Sequence, residues 1–291
     1  MTIRSLRRKL MLSAATIAFT LLCASHSFAL QAGSYPAPAP QQQPSTTKPD
    51  TSATPATAPA AAKVDPAEEA DYKTFYDLKP GDNDKHIELG EAFVQKYPNS
   101  KYLSGVYSQL VTAEYNKQDF NKMYADADKT LVANPDEVTV LVLVGWVIPH
   151  SSNANDVNYD AQLDKAEKYE KHALELLPTL ASPPNMTPED FAKAKAESTS
   201  QAHSGLGLVY FRKQNYEGAV AELTKATSTS ANPDATDYYV TGVSLGHLNR
   251  YSEAADAYTK CAAIPGGLQA RCKQQADDAK KQAAAKPAAK P

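Results

Sequence analysis

The residues best spaced for chemistry lie between Asp156 and Glu167. Asp156, Asn158 and Asp160 place oxygen ligands at positions one, three and five of a twelve-residue stretch, with Leu163 at eight and Glu167 at twelve. A loop wraps a calcium ion with that spacing. The sixth position, however, is Ala161, where the sharp turn needs glycine, and Leu163 and Ala166 fit a helical register. One segment is not both loop and helix, so we expect Asp160 to cap a helix and no metal to bind. The histidines outside the N-terminal segment (His86, His150, His172, His203 and His247) show no H-E-x-x-H or cysteine-rich spacing. His203-Ser-Gly205-Leu-Gly207 lacks the third glycine, the preceding strand and the lysine of a phosphate cradle. No serine sits in a nucleophile elbow. These patterns point to no catalytic residue, no cofactor and no enzyme.

The remaining reactive side chains are three cysteines, and their reading depends on the N-terminus. Four cations (Arg4, Arg7, Arg8 and Lys9) precede an uncharged run over 10–24, and Ser27-Phe28-Ala29 puts small residues at both cleavage-determining positions. A run of that length falls short of the roughly 20 residues that span a bilayer. We expect residues 1–29 to be a signal peptide cleaved after Ala29. The alternatives are an uncleaved anchor and lipidation at Cys23, which bulky Leu22 disfavours. Cleavage takes 30 basic residues to 26 against 33 acidic, a net charge of −7 in place of −3. Such a balance disfavours nucleic acid, whose binding needs Lys and Arg to neutralise phosphates. It also leaves Cys261 and Cys272, an even count that suggests a disulfide in an oxidising compartment. A turn at Ile264-Pro265-Gly266-Gly267 lies midway between them, so two antiparallel helices would set them opposite each other. The alternative is two buried thiols at a helix interface.

The elements that would carry these residues are helical throughout. Residues 30–64 are a Pro, Ala, Gln and Thr-rich stretch too polar to bury a core and are expected to be a disordered linker. Order begins at Asp65-Pro66, with a capping acid, a proline suited to the first helical position and Glu68 and Glu69 in the first turn. Apolar periodicity then places helices near 82–97, 101–116 and 119–133. An almost wholly aliphatic stretch over 138–148 reads as a buried core helix, followed by one near 162–177. Thr187-Pro188-Glu189-Asp190 starts a helix without a break to about residue 213. Two further helices follow, then a polar one near 268–281 that would cap the end. The folded domain is expected over 65–282 and a disordered tail over 283–291.

One unit organises the rest. His203, Leu206, Gly207, Tyr210, Ala219, Leu223 and Pro233 fall on the W-x2-L-G-x2-Y…A-x3-F…P pattern, and the stretch resembles a tetratricopeptide repeat (TPR). Tyr238, Gly242, Leu245, Tyr251, Ala254 and Tyr258 repeat it 35 residues on, against about 34 in the family. Gly145 and Ala166 hold the same two small-residue positions in an earlier unit. They lie 21 residues apart rather than 12, so nine extra residues fall within 149–159. Tyr107, Leu110, Val111, Phe120, Met123 and Ala127 form a weaker unit before that. Tyr97-Pro98-Asn99-Ser100-Lys101-Tyr102 is also similar to turns of envelope TPR proteins. The resemblance covers about 102–263 and implies an all-α fold, a right-handed α-solenoid of about four to five TPR-like helix-turn-helix pairs plus a C-terminal capping helix.

The resemblance also implies a mode of action. In the family, ligand contacts come from the first helix of each pair, on the face away from the second. By register those positions include Tyr115, Asn116, Trp146, His150, Phe211, Arg212, Tyr239 and His247. Aromatics with a few polar groups suit a peptide or protein partner. The alternative for Trp146 and Phe211 is packing between neighbouring repeats. Gly145, Ala166, Gly207, Ala219, Gly242 and Ala254 are expected where helices touch. The function this implies is a non-enzymatic scaffold for protein or peptide partners in the bacterial cell envelope, periplasmic or extracellular, with no membrane span in the mature chain. The alternatives are a structural, self-associating envelope protein and an enzyme or carbohydrate-binding protein on a helical-repeat fold.

Overall fold

The computed structural model describes residues 65–183 and 186–285. The expected signal peptide and linker therefore lie outside the described residues, as does the tail from residue 286. Among the described residues there are eleven α-helices and no strand: α1 (Pro66–Tyr76), α2 (Asn83–Lys96), α3 (Leu103–Asn116), α4 (Phe120–Ala133), α5 (Val138–Ser151), α6 (Tyr159–Leu176), α7 (Pro188–Arg212), α8 (Tyr216–Thr229), α9 (Ala235–His247), α10 (Tyr251–Ala263) and α11 (Gln269–Ala285).

The starts follow local chemistry. Asp65 accepts from the Ala67 amide at 2.9 Å, Thr187 from Asp190 at 3.1 Å, Asn215 from Gly218 at 3.1 Å and Asp234 from Thr236 at 2.7 Å. Each satisfies one of the helix-start amides that have no partner within the helix. Asp160 departs from expectation: it lies in the first turn of α6, and Asn158 holds the cap position without a side-chain bond. Residues 159–167 are helical, so the calcium-type spacing is not laid out as a loop.

Consecutive helices pair, α3 with α4, α5 with α6, α7 with α8 and α9 with α10, and the first helices α3, α5, α7 and α9 pack in succession. Three of these pairs share one turn. Gln118, Gln214 and Asn249 each take a positive φ, of 62°, 59° and 56°. After each, the next amide reaches back five residues, Asp119 to the Glu114 carbonyl, Asn215 to Tyr210 and Arg250 to Leu245, at 2.8–2.9 Å. This left-handed residue with its long return bond closes a helix end by satisfying free carbonyls. The α5–α6 pair lacks the turn because of its nine extra residues. Three of them, Pro149 to Ser151, prolong α5 beyond the expected end at Ile148, and α6 begins at Tyr159 rather than near 162. Only 152–158 remain as loop, pinned where the Ser152 hydroxyl donates to the Ile148 carbonyl and meets Gln162 Oε1.

Small residues set the spacing within pairs. Gly145, Ala166, Gly207, Ala219, Gly242 and Ala254 are all buried. A Cβ on Gly207 would lie 2.6 Å from Leu223 Cγ, and one on Gly242 2.6 Å from the Tyr258 ring. The glycine is therefore where the second helix's large side chain enters the first. At the C-terminal end α11 packs on α10, and Cys261 and Cys272 form a disulfide with Cα atoms 5.8 Å apart. The helix runs to Ala285, so 283–285, expected in the tail, continue it.

Candidate partner-binding face

The aromatic positions of the first helices gather in two clusters. In the first, Tyr115 of α3 meets Trp146 of α5 edge-on at 6.3 Å, and the Trp146 ring lies 3.9 Å from that of His150 one turn on. The Arg212 Nε of α7 donates to the Pro149 carbonyl at 3.2 Å, which ties the next first helix to the same corner. His150 Nδ1 sits 2.7 Å from the Trp146 carbonyl, and burial lowers the pKa of its imidazole. In the second cluster Tyr216 of α8 bridges Phe211 of α7, at 6.1 Å, and His247 of α9, stacked at 4.2 Å and 2°.

Tyr115, Trp146, Phe211 and Tyr239 are partly buried. Each packs one side on a hydrophobic core and keeps the rest at the surface. Asn116 is exposed, and its Nδ2 donates to Asn83 Oδ1 at 3.1 Å. Tyr239 does not join either cluster. The Arg271 guanidinium of α11 lies over its ring at 5.3 Å, and Tyr258 packs beside it at 5.8 Å. The capping helix thus partly covers this position. Tyr239 and His247 line an open cleft of about 460 Å³ with Tyr258, Arg271 and Gln275.

Tyr216 was not among the expected residues, although its signal was present. Phe120 and Tyr216 each follow a first-helix aromatic (Tyr115, Phe211) by five residues across the shared turn, and both pairs touch.

Buried acids behind this face are the larger surprise. Glu114 of α3, Glu170 of α6 and Asp237 of α9 are almost wholly excluded from solvent. Burial, with the neighbouring Asp126 charge, pushes the Glu114 carboxyl up to about 8. Burial raises Asp237 to about 7 against the opposing hydrogen bond from the Ser204 hydroxyl at 2.7 Å. Burial alone raises Glu170 well above the usual carboxylate range. The register contained a signal for Glu170: it holds the position of Leu223 and Tyr258, the residue that faces the repeat glycine.

No family model matches the sequence, and no curated protein matches it. Among solved structures the chain is similar to a thermophilic TPR protein of Thermus thermophilus, at 15% identity and TM-score 0.43, over 74% of this chain and 99% of that one. It is similar to a MamA protein at 20% identity and TM-score 0.40, over 64% and 90%. It is also similar to the TPR domain of P58(IPK) at 12% identity and TM-score 0.30, over 74% and 65%. Helix pairs in one register, a turn shared by three of them and a second-helix side chain set over each repeat glycine give this chain a tetratricopeptide-like helical-repeat fold.

Proposed function

We propose that the chain is a non-enzymatic scaffold that binds protein or peptide partners on its first-helix face, and that it does so in the bacterial cell envelope. The observation that carries the binding reading is the first aromatic cluster, where Tyr115, Trp146 and His150 meet with Arg212 beside them. Partly exposed aromatics beside a guanidinium are the anchor types of protein interfaces. Export is supported by the cationic, then apolar, then small-residue order of the first 29 residues. The Cys261–Cys272 disulfide fits the same setting.

Crosslinking and pull-down from envelope extract test the reading, with Trp146→Ala and Phe211→Ala set against Val132→Ser on a second helix. Val132 is 86% exposed and serves as the surface control. A scaffold using this face loses its partner in the first two variants and keeps it in the third. Equal capture by all three removes the face from consideration. Light scattering of the purified chain separates a partner-binding scaffold from a self-associating one.

A further inference from the structure

Among the described residues Glu114 and Glu170 each bury a carboxyl without a hydrogen-bond partner, and of the two only Glu170 has no charged group acting on it. It is fully buried, and neither carboxyl oxygen has a hydrogen-bond partner among the described residues. Two glycines from different helices make its space. A Cβ on Gly145 of α5 would lie 2.7 Å from Glu170 Cδ, and one on Gly205 of α7 would lie 2.8 Å from the same atom. The carboxyl therefore sits between α5 and α7, where the equivalent residues of the next two units are Leu223 and Tyr258.

Lys168 beside it is exposed, and other charged groups near this site are engaged elsewhere. On α6, Glu167 pairs with Lys171 and with Lys213. On α7, His203 pairs with Glu222 at 2.6 Å. On α5, the only titratable side chain, His150, is bound to the Trp146 carbonyl. No charge offsets the cost of ionising Glu170 in place. An unpaired charge in such a site is so costly that the group stays neutral or its surroundings open. What must open is set by the geometry. Trp146 follows Gly145 directly, and its Cα lies 3.1 Å from where a Gly205 Cβ would stand.

We propose that Glu170 is a proton-dependent latch: neutral, it closes the α5–α6–α7 junction, and loss of its proton loosens that junction and displaces Trp146 on the partner-binding face. The latch itself does not depend on the face being a binding site. A carboxyl favoured as neutral in the folded state holds more protons there than in the unfolded chain. Its contribution is fully present below the unfolded carboxylate range and is lost as pH rises through its folded value.

The chain carries a single tryptophan, so Trp146 emission reports on this junction alone. Emission spectra and urea unfolding are followed from acidic to alkaline pH for the wild type, Glu170→Gln and Glu170→Leu. The leucine variant copies Leu223 and guards against a glutamine that folds poorly. His150 titrates beside Trp146 in all three proteins, so only the difference between them counts. The latch gives the wild type an alkaline shift in Trp146 emission that both variants lack. It also makes the ratio of variant to wild-type folding constants grow about tenfold per pH unit above the unfolded range. Superimposable emission profiles, or a ratio that does not change with pH, overturn it. Partner capture by a pH-insensitive variant at alkaline pH separates the latch from the binding reading: a failed latch leaves the first-helix variants' losses unchanged.

Discussion

Leu223 of α8 enters the space over Gly207 of α7 so closely that a methyl group there would meet both its side chain and its backbone nitrogen, at 2.6 and 3.1 Å. The backbone atom offers no easy relief. Gly207→Ala is therefore expected to destabilise the fold by about 1–3 kcal/mol, despite the gain in helix propensity. Gly246, in the same kind of helix, has nothing within 4 Å of its Cβ position. There the substitution is expected to stabilise by about 0.5 kcal/mol. Urea denaturation of both variants checks the pair, and a Gly207→Ala protein as stable as the wild type would contradict the packing.

The shared turn makes a second test. Gln214 holds its left-handed conformation (φ 59°) as an ordinary residue, at a cost of about 1 kcal/mol relative to glycine. Gln214→Gly is expected to leave stability unchanged or raise it by a few tenths of a kcal/mol, and Gln214→Val to lower it by about 1–2 kcal/mol. Equal melting curves for the two variants would count against the turn.

The ends and faces of most helices were legible from the sequence because they rest on local rules. Asp65-Pro66 and Thr187-Pro188 announce helix starts through cap chemistry, and the 35-residue spacing of Gly207 and Gly242 announces the repeat. Pro149 misled because proline usually ends a helix. Here it lies in the last turn, and the Ser152 amide still reaches the Ile148 carbonyl at 2.9 Å. Glu170 was legible as the equivalent of Leu223, four residues after Ala166, but its enclosure was not, because only the folded chain brings Gly145 and Gly205 around it. The partial cover that Arg271 of α11 lays over Tyr239 was not legible, because only the folded chain brings α11 to α9.

Stability should fall toward alkaline pH through Asp237 and Glu114. Burial raises Asp237 to about 7 and Glu114 to about 8, so each favours its neutral form in the fold. What each contributes is present in acid and lost as pH climbs through those values. Asp237→Asn keeps an acceptor for the Ser204 hydroxyl while removing the titration. Between about pH 4 and 7 its stability relative to the wild type is expected to rise by about 1.4 kcal/mol per pH unit. Melting temperatures of both proteins across that window check the slope; a flat difference would mean that Asp237 ionises without cost.

Reduction of Cys261–Cys272 should act locally. α11 buries only Cys272, Ala276 and Ala279, a thin apolar strip for a helix of 17 residues. A bridge closing a loop of about a dozen residues contributes on the order of 3 kcal/mol. With a dithiol present, hydrogen exchange is expected to accelerate across 269–285 while α7 and α8 keep their protection. Unchanged exchange in α11 would show that its packing suffices without the bridge.

That bridge also bears on how long such an array is. Stacked repeats resemble a crystal growing in one dimension, since the last unit presents the same edge as every unit before it. Here α11 occupies that edge, leaves Lys273, Asp277 and Lys280 exposed, and is bolted there by a covalent bond. The growth step is poisoned. Another unit arriving at α11 would meet charge in place of an apolar edge.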